Sequence, residues 1–217
     1  MRWDQYIGKK RESTISDWRK LIRDFRDQFP YDAVTALVVE TFANSLDAKS
    51  TSIDITVGKD TYEIIDDGKG MTRNEMEEYH NIASLTKRKG EGIGFAGVGA
   101  KIYLDRADYV FTETKSETFY GATRWFFEGK KLVWIPVKPK GVIRGKTGTY
   151  VMVKSKEKVD SLKLTPSFVE DVIRRYYNYV LLGYYGPKTV RVNGVLRNYL
   201  WMSRSSSTTP SSTHLNV

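Results

Sequence analysis

The chain has no cysteine among its 217 residues and only two histidines, His80 and His214. The lack of cysteine excludes disulfides, thiolate zinc sites and cysteine nucleophiles, and two histidines are too few for a histidine-based metal site. No apolar run approaches the roughly 20 residues of a membrane span, and the N-terminus lacks the apolar segment of a signal peptide. We therefore expect a soluble, intracellular protein of the cytoplasm.

The composition that remains is typical of a folded, basic protein. Hydrophobic residues make up 40% of the chain and aromatic residues 13%, which is enough to form a core. Lys and Arg together number 35 against 26 for Asp and Glu, so the formal net charge is +9. A charge of this sign suits nucleotides, nucleic acids or membrane surfaces, and it does not distinguish among these partners.

The first informative stretch is AVTALVVETFANSLDA, Ala33 to Ala48, whose pattern predicts a helix with Asp32 as its N-cap. At 3.6 residues per turn, Glu40, Asn44 and Asp47 fall within about 60° of arc and form one polar stripe. The remaining face is apolar and faces the predicted core through Val34, Leu37, Val38 and Phe42. A polar stripe of this kind is either a solvated face or a site that a ligand satisfies.

The second stretch follows two strand patterns, Ile53–Val57 and Tyr62–Ile65, and reads DDGKGM from Asp66 to Met71. Gly68 and Gly70 allow a sharp turn and a close approach of the backbone to a ligand. The ordinary interpretation of this stretch is a simple turn.

Together the two stretches resemble the motifs E-x-x-x-N-S-x-D-A and D-x-G-x-G of the GHKL superfamily. This superfamily includes DNA gyrase B, the ninety-kilodalton heat-shock chaperone, histidine kinases, MutL and MORC. The motif sequences of this chain most resemble those of MutL, MORC and the chaperone. The resemblance implies the α+β Bergerat ATP-binding fold. That fold is a two-layer α/β sandwich, with a mixed, mainly antiparallel sheet and helices on one face.

We expect one ATP-binding domain over residues 1–200. Its motif core covers 33–153, and a C-terminal helix and hairpin cover 165–198, with Asn193-Gly194 as the hairpin turn. Residues 201–217 are of low complexity and are predicted to be a disordered tail.

The most glycine-rich segment runs from Ser84 to Lys101. It contains a G-x-G-x-x-G pattern, but no strand precedes it, so a dinucleotide fold is unsupported. A P-loop is rejected because Ala100 separates the last glycine from Lys101 and no Ser or Thr follows. The remaining interpretations are a plain flexible loop or a lid whose amides bind phosphates, and the segment resembles the third GHKL motif.

The segment from Tyr109 to Val153 contains four strand patterns and predicts an antiparallel meander. Gly148-Thr149, at the start of the last strand, resembles the fourth GHKL motif. The alternative is an ordinary strand threonine.

The resemblance implies a role for each matching residue. Asp66 would accept the adenine amino group, Gly70 and Met71 would lie against the base, Asn44 would bind Mg²⁺, and Glu40 would be the catalytic base. The full set of implied ATP-binding residues is Asn44, Asp47, Asp66, Gly68, Gly70, Met71, Thr86, Lys87, Gly97, Val98, Gly99, Lys101 and Thr149.

The implied function is Mg²⁺-dependent ATP binding with slow hydrolysis, coupled to lid closure and dimerisation in a DNA-related or chaperone-like process. Glu40 favours hydrolysis over the phosphotransfer of histidine kinases, which do not keep a hydrolytic glutamate at this place. Relatives complete their sites with a basic residue from a downstream domain, so a homodimer, a partner or a missing domain is expected.

Two alternatives remain open at the level of sequence. One is a nucleotide-gated binding or scaffold module with negligible turnover. The other is a sequence-independent nucleic-acid binder that uses basic and aromatic residues, and the ordinary alternative is that the aromatic residues form sheet core. The basic and aromatic residues are Arg124, Trp125, Lys130, Lys131 and Trp134.

Overall fold

The computed structural model describes residues 15–27, 30–81, 103–156, 164–181, 187 and 189–196. The glycine-rich segment from Ser84 to Lys101 and the predicted tail 201–217 lie outside the described residues. None of the described helices is both long enough and apolar enough to cross a membrane.

Four α-helices and eight strands make up the described structure, together with a short 3-10 helix at Tyr103–Arg106. The helices are α1 (Trp18–Arg26), α2 (Ala33–Asp47), α3 (Arg73–Tyr79) and α4 (Pro166–Leu181). The strands are β1 (Ser52–Val57), β2 (Thr61–Asp66), β3 (Ala107–Lys115), β4 (Tyr120–Glu128), β5 (Lys131–Val137), β6 (Gly148–Ser155), β7 (Thr189–Val192) and β8 (Val195–Leu196).

The eight strands form one sheet in the order β5-β4-β3-β6-β2-β1-β7-β8. Only the β1–β7 pair is parallel, and the other pairs are antiparallel. Helices α2 and α4 pack on one face, where Phe42 and Ile173 share a core with Ile53 and Val190. This arrangement confirms the predicted α+β fold with a mixed, mainly antiparallel sheet.

The last strand of the predicted meander departs from the simple pattern. Strands β3, β4 and β5 follow in order, but β6 pairs with β3 and β2 instead of β5. The connecting segment is held against β3, where the buried carboxylate of Glu113 accepts the backbone N–H groups of Lys140 (2.6 Å) and Val142 (3.0 Å). Ile143 then enters a second apolar cluster with Phe111 and Tyr150.

Local signals set the helix starts and the terminal hairpin, as predicted for Asp32 and for Asn193-Gly194. The Asp32 side chain accepts the backbone N–H of Val34 at 2.8 Å, which fixes the start of α2. Thr72 and Glu75 form a capping box at the start of α3. Asn193 and Gly194 have φ of 49° and 78°, as a tight two-residue hairpin turn requires.

The side chain of Tyr177 links helix α4 to helix α2. The backbone of α4 leaves helical geometry at Tyr177, where φ is −126° and ψ is 16°. The hydroxyl of Tyr177 donates to the backbone carbonyl of Val39 at 2.6 Å, and its ring lies 5.0 Å from that of Phe42. The turn of α2 next to Glu40 is therefore held from the side of α4.

Candidate functional site

Asp66 is a buried carboxylate at the end of β2, with 8% of its surface exposed. Its Oδ1 accepts the backbone N–H of Gly68 and its Oδ2 accepts the hydroxyl of Ser45, both at 2.9 Å. The Ser50 hydroxyl and the Thr149 backbone N–H also donate towards this carboxylate, so every protein group around it favours its role as an acceptor. The site is therefore suited to a ligand that presents an N–H group.

Burial and hydrogen bonding shift the pKa of Asp66 in opposite directions. Desolvation raises the pKa of Asp66 above its ordinary value, and the hydrogen bonds from Gly68 and Ser45 oppose that rise. The two donors therefore favour the ionised form, which accepts hydrogen bonds and donates none. Such a group discriminates between ligands by the polarity of the atom that they present.

The neighbouring Asp67 has a different task. Its carboxylate accepts the backbone N–H groups of Thr51 (2.7 Å) and Ser52 (2.8 Å) and the Thr51 hydroxyl. Burial opposes ionisation, but these bonds hold the pKa of Asp67 below its ordinary value. Asp67 therefore fixes the link between α2 and β1.

The turn after Asp66 packs tightly against the end of α2. A Cβ on Gly68 would lie 2.6 Å from the Cβ of Ala48 and 2.8 Å from the Ala48 carbonyl oxygen, so only glycine fits. The Lys69 N–H donates to the same carbonyl at 3.0 Å. The structure thus brings the first two predicted motifs into direct contact.

The same turn is held against strand β3. Gly70 has a φ of 66°, and a Cβ there would lie 2.0 Å from the carbonyl oxygen of Lys115. Met71 donates its backbone N–H to the Thr114 hydroxyl at 2.8 Å. Both contacts position the backbone that the sequence predicts to lie against a ligand.

Gly148 and Thr149 complete this group. Gly148 has a φ of 151°, and a Cβ there would lie 2.3 Å from the carbonyl oxygen of Asp66. Thr149 is the cross-strand partner of Asp66, and its hydroxyl lies 3.4 Å from that of Thr114. The second and fourth predicted motifs therefore meet at the junction of β2, β3 and β6.

Glu40, Asn44 and Asp47 lie on α2 but differ in exposure. Glu40 is 3% exposed, Asn44 is exposed and Asp47 is half-buried. The hydroxyl of Tyr31 donates to Oε1 of Glu40 at 3.4 Å. Burial and then the charge of Glu40 raise the pKa of Tyr31 to about 12, so Tyr31 remains a donor at neutral pH. The stripe therefore combines a buried carboxylate with an accessible amide.

Six predicted site residues lie outside the described residues: Thr86, Lys87, Gly97, Val98, Gly99 and Lys101. Within the described part of the chain, no group of three or more Asp, Glu or His side chains could hold a metal ion. Asn44, the predicted metal ligand, presents an accessible amide oxygen of the kind that suits Mg²⁺. It directly precedes Ser45, which binds Asp66.

Sequence reasoning gave no role to three residues that contact the site. Ser45 belongs to the first motif, and its small hydroxyl between Asn44 and Asp47 was an available signal. Tyr31 and Thr114 lie outside the motifs. Thr114 is 43 residues from Met71 in the chain, so no local pattern could have indicated their contact.

Of the five candidate nucleic-acid residues, Trp125 is buried, whereas Arg124, Lys130, Lys131 and Trp134 are exposed. Trp125 is 2% exposed, and its ring lies 5.0 Å from that of His80. The Arg124 guanidinium lies 4.1 Å from the centre of the Tyr109 ring, and Lys130 pairs with Asp17 at 3.3 Å. Trp125 therefore belongs to the sheet core, as the ordinary alternative predicts.

The comparison with protein families agrees with this geometry. No curated protein sequence is significantly similar to the chain. The family model described as histidine kinase-, DNA gyrase B-, and HSP90-like ATPase matches residues 31–170, which is more than half of the chain. The match includes Glu40, Asp66 and Thr149. The chain therefore belongs to the histidine kinase-, DNA gyrase B-, and HSP90-like ATPase family of the GHKL superfamily.

Proposed function

We propose that the chain binds ATP with Mg²⁺ and hydrolyses it slowly, in a cycle coupled to closure of the glycine-rich segment and to dimerisation. Membership of this ATPase family supports ATP binding and ATPase activity. The observation that carries the proposal is the buried Asp66 carboxylate, a hydrogen-bond acceptor that lies where three predicted motifs meet.

One end of the proposed site, the base end, would recognise adenine. The base end consists of Ser45, Asp66, Gly68, Gly70, Met71, Thr114, Gly148 and Thr149. Ionised Asp66 would accept the exocyclic amino group, which guanine replaces with a carbonyl oxygen at the matching position. Gly70 would let the backbone approach the base because it carries no side chain.

The other end, the phosphate end, consists of Glu40, Asn44 and Asp47 together with the glycine-rich segment. The Asn44 amide oxygen would be the protein ligand of Mg²⁺, and magnesium, when bound, offsets the charge of the phosphate oxygens. Glu40 would orient the attacking water and accept its proton. Tyr31 would hold the Glu40 carboxylate in place through their hydrogen bond.

A comparison of binding with turnover tests the hydrolytic part of this proposal. Glu40→Gln should bind ATP within about twofold of the wild type and should lose at least about 90% of its phosphate release, because general-base catalysis contributes about 10²–10⁴-fold. Calorimetry measures binding, and a coupled phosphate assay measures turnover. Glu63→Gln is the matched control because Glu63 also accepts a tyrosine hydroxyl, from Tyr150 at 2.8 Å, outside the proposed site.

Two outcomes would contradict the hydrolytic proposal. Equal loss of binding and turnover in Glu40→Gln would mean that Glu40 supports the pocket and not the reaction. Tight ATP binding by the wild type without any phosphate release would favour the nucleotide-gated scaffold module instead. Analytical ultracentrifugation with a non-hydrolysable ATP analogue tests dimerisation, and a monomer under saturating analogue would contradict that part.

A further inference from the structure

Thr114 on β3 touches two separate parts of the base end. It is fully buried, with 0% of its surface exposed. Its hydroxyl oxygen accepts the Met71 N–H at 2.8 Å, and it lies 3.3 Å from the Gly148 carbonyl oxygen and 3.4 Å from the Thr149 hydroxyl. One side chain thus joins the turn after β2 to the start of β6.

The Thr114 hydroxyl proton can be donated either to the Gly148 carbonyl or to the Thr149 hydroxyl. A threonine hydroxyl has one proton and two acceptor positions, and Met71 occupies one of the acceptor positions. If Thr114 donates to Thr149, the proton of Thr149 must point elsewhere. If Thr114 donates to Gly148, Thr149 can donate back to Thr114. The hydroxyl of Thr114 therefore governs whether Thr149 presents a donor or an acceptor to its surroundings.

Thr114 also fixes the backbone beside the proposed base. Gly70 packs against the carbonyl of Lys115, and the next residue, Met71, is held by Thr114. Two consecutive residues of the turn are thus held by two consecutive residues of one strand. A shift of Thr114 would move Met71 and Thr149 together relative to Asp66.

We propose that Thr114 is a positioning residue that sets the preference of this site for adenine over guanine. This proposal rests on the proposed ATP-binding function. Thr114 holds the Met71 backbone and the Thr149 hydroxyl in fixed register with the Asp66 carboxylate. A base that offers a donor to Asp66 then meets a Thr149 hydroxyl whose position is fixed by Thr114. A base that presents an acceptor atom to the Asp66 carboxylate places two acceptors against each other, which disfavours binding.

Three single variants test this role. Thr114→Val keeps the shape of the side chain and removes the hydroxyl, so it should weaken ATP binding by about tenfold because the Met71 N–H loses its partner. The ratio of ATP to GTP affinity should fall as well. Thr114→Ser keeps the hydroxyl and should restore both values to within about twofold of the wild type.

Thr112→Val is the matched control. Thr112 lies two residues away on the same strand and is also buried, at 1% exposed, but its hydroxyl donates to the Tyr79 hydroxyl at 3.3 Å. Calorimetric titrations of this variant with ATP and GTP should match those of the wild type. A loss in Thr112→Val equal to that in Thr114→Val would overturn the proposal, because both would then reflect general damage to the strand.

The outcomes separate this proposal from the ATP-binding function. If the wild type binds ATP and Thr114→Val keeps both its affinity and its ATP-to-GTP ratio, the positioning role is wrong and the function stands. If the wild type binds no nucleotide, both fail. Should Thr114→Val not fold, amide hydrogen exchange of the wild type decides. We expect a protected Met71 amide, and exchange at the rate of an exposed amide would contradict the contact.

Discussion

The base end and the phosphate end of the proposed site are built in different ways. At the base end, Gly68, Gly70 and Gly148 each lie where a Cβ would meet backbone within 2.8 Å. Hydrogen bonds join α2 to β2 and join the turn after β2 to β3. At the phosphate end, the accessible Asn44 and the buried Glu40 lie on a single helix. The base end is therefore fixed by the fold itself, whereas the described phosphate end depends on individual side chains.

This difference gives the two ends different responses to mutation. A change at the base end should alter stability and nucleotide affinity together, since the same contacts serve both. A change at the phosphate end should alter metal dependence or turnover with little effect on stability. The variants below test this distinction.

The largest expected effect is that of Gly70→Ala. The substitution forces a residue with a side chain into a φ of 66° and places its Cβ 2.0 Å from the Lys115 carbonyl oxygen. We expect a loss of about 3 kcal/mol or more in the free energy of unfolding, measured by urea denaturation. Gly129→Ala is the matched control, since Gly129 has a similar φ of 60° but nothing within 4 Å of the added Cβ. Equal losses of unfolding free energy in both variants would show that the close packing at Gly70 does not contribute to stability.

The next effect is that of Ser45→Ala on the pH dependence of binding. Burial already raises the pKa of Asp66, and the Ser45 hydroxyl opposes this rise, so its removal should raise the pKa further. Protonated Asp66 presents a donor in place of an acceptor, so ATP affinity should fall as pH decreases through the raised pKa. In Ser45→Ala the fall should begin at a higher pH, with affinity at neutral pH lower by about fivefold.

The free energy of unfolding of the ligand-free protein should respond to pH in the direction opposite to that of the ATP affinity. Because the folded-state pKa of Asp66 is raised, the folded protein binds this proton more tightly than the unfolded chain does. The contribution of Asp66 to stability is therefore fully present below its unfolded pKa and is lost as pH rises through the folded pKa. Binding titrations and thermal melts across pH 5–8 would measure both trends, and parallel trends would contradict this assignment.

Tyr31→Phe tests the support of Glu40 at the phosphate end. Loss of the hydroxyl that donates to Glu40 should lower kcat by about fivefold, the value of one hydrogen bond, and leave ATP affinity unchanged. Tyr120→Phe is a matched control because the Tyr120 hydroxyl donates to the buried Glu113 carboxylate at 3.1 Å, outside the proposed site. A drop in affinity in Tyr31→Phe would mean that Tyr31 serves the pocket and not the carboxylate.

The smallest expected effect is that of Asn44→Ala on stability. Asn44 is exposed, so the free energy of unfolding should change by less than about 0.5 kcal/mol. The difference between ATP affinities measured with and without Mg²⁺ should disappear. Retained magnesium dependence would exclude Asn44 as the metal ligand, and a large loss of stability would contradict the contrast between the two ends.

Much of the fold was predictable because its signals are local. The cap at Asp32 and the turn at Asn193-Gly194 each rest on neighbouring residues, and the structure confirms both. The insertion of β6 between β3 and β2 was not predicted, because it rests on pairing between strands that are distant in the chain.

The same reasoning explains what the sequence revealed of the candidate site. Within each motif the glycines and aspartates lie close together in the chain, so their spacing indicated a site. The Ser45–Asp66 bond spans 21 residues and the Met71–Thr114 bond spans 43, and no short-range pattern encodes either. The stripe on α2 also gave no indication that Glu40 is buried while Asn44 is exposed, because packing by other elements decides this difference.

The most direct measurement is calorimetric titration of ATP into the wild type, Asp66→Asn and Asp67→Asn. The account predicts that Asp66→Asn loses at least about a hundredfold in affinity, since the amide presents a donor to the adenine amino group. Asp67→Asn should bind ATP like the wild type, because Asp67 holds the backbone of Thr51 and Ser52 and not the ligand. Equal affinity for ATP in the wild type and Asp66→Asn would contradict the central claim that Asp66 recognises the base.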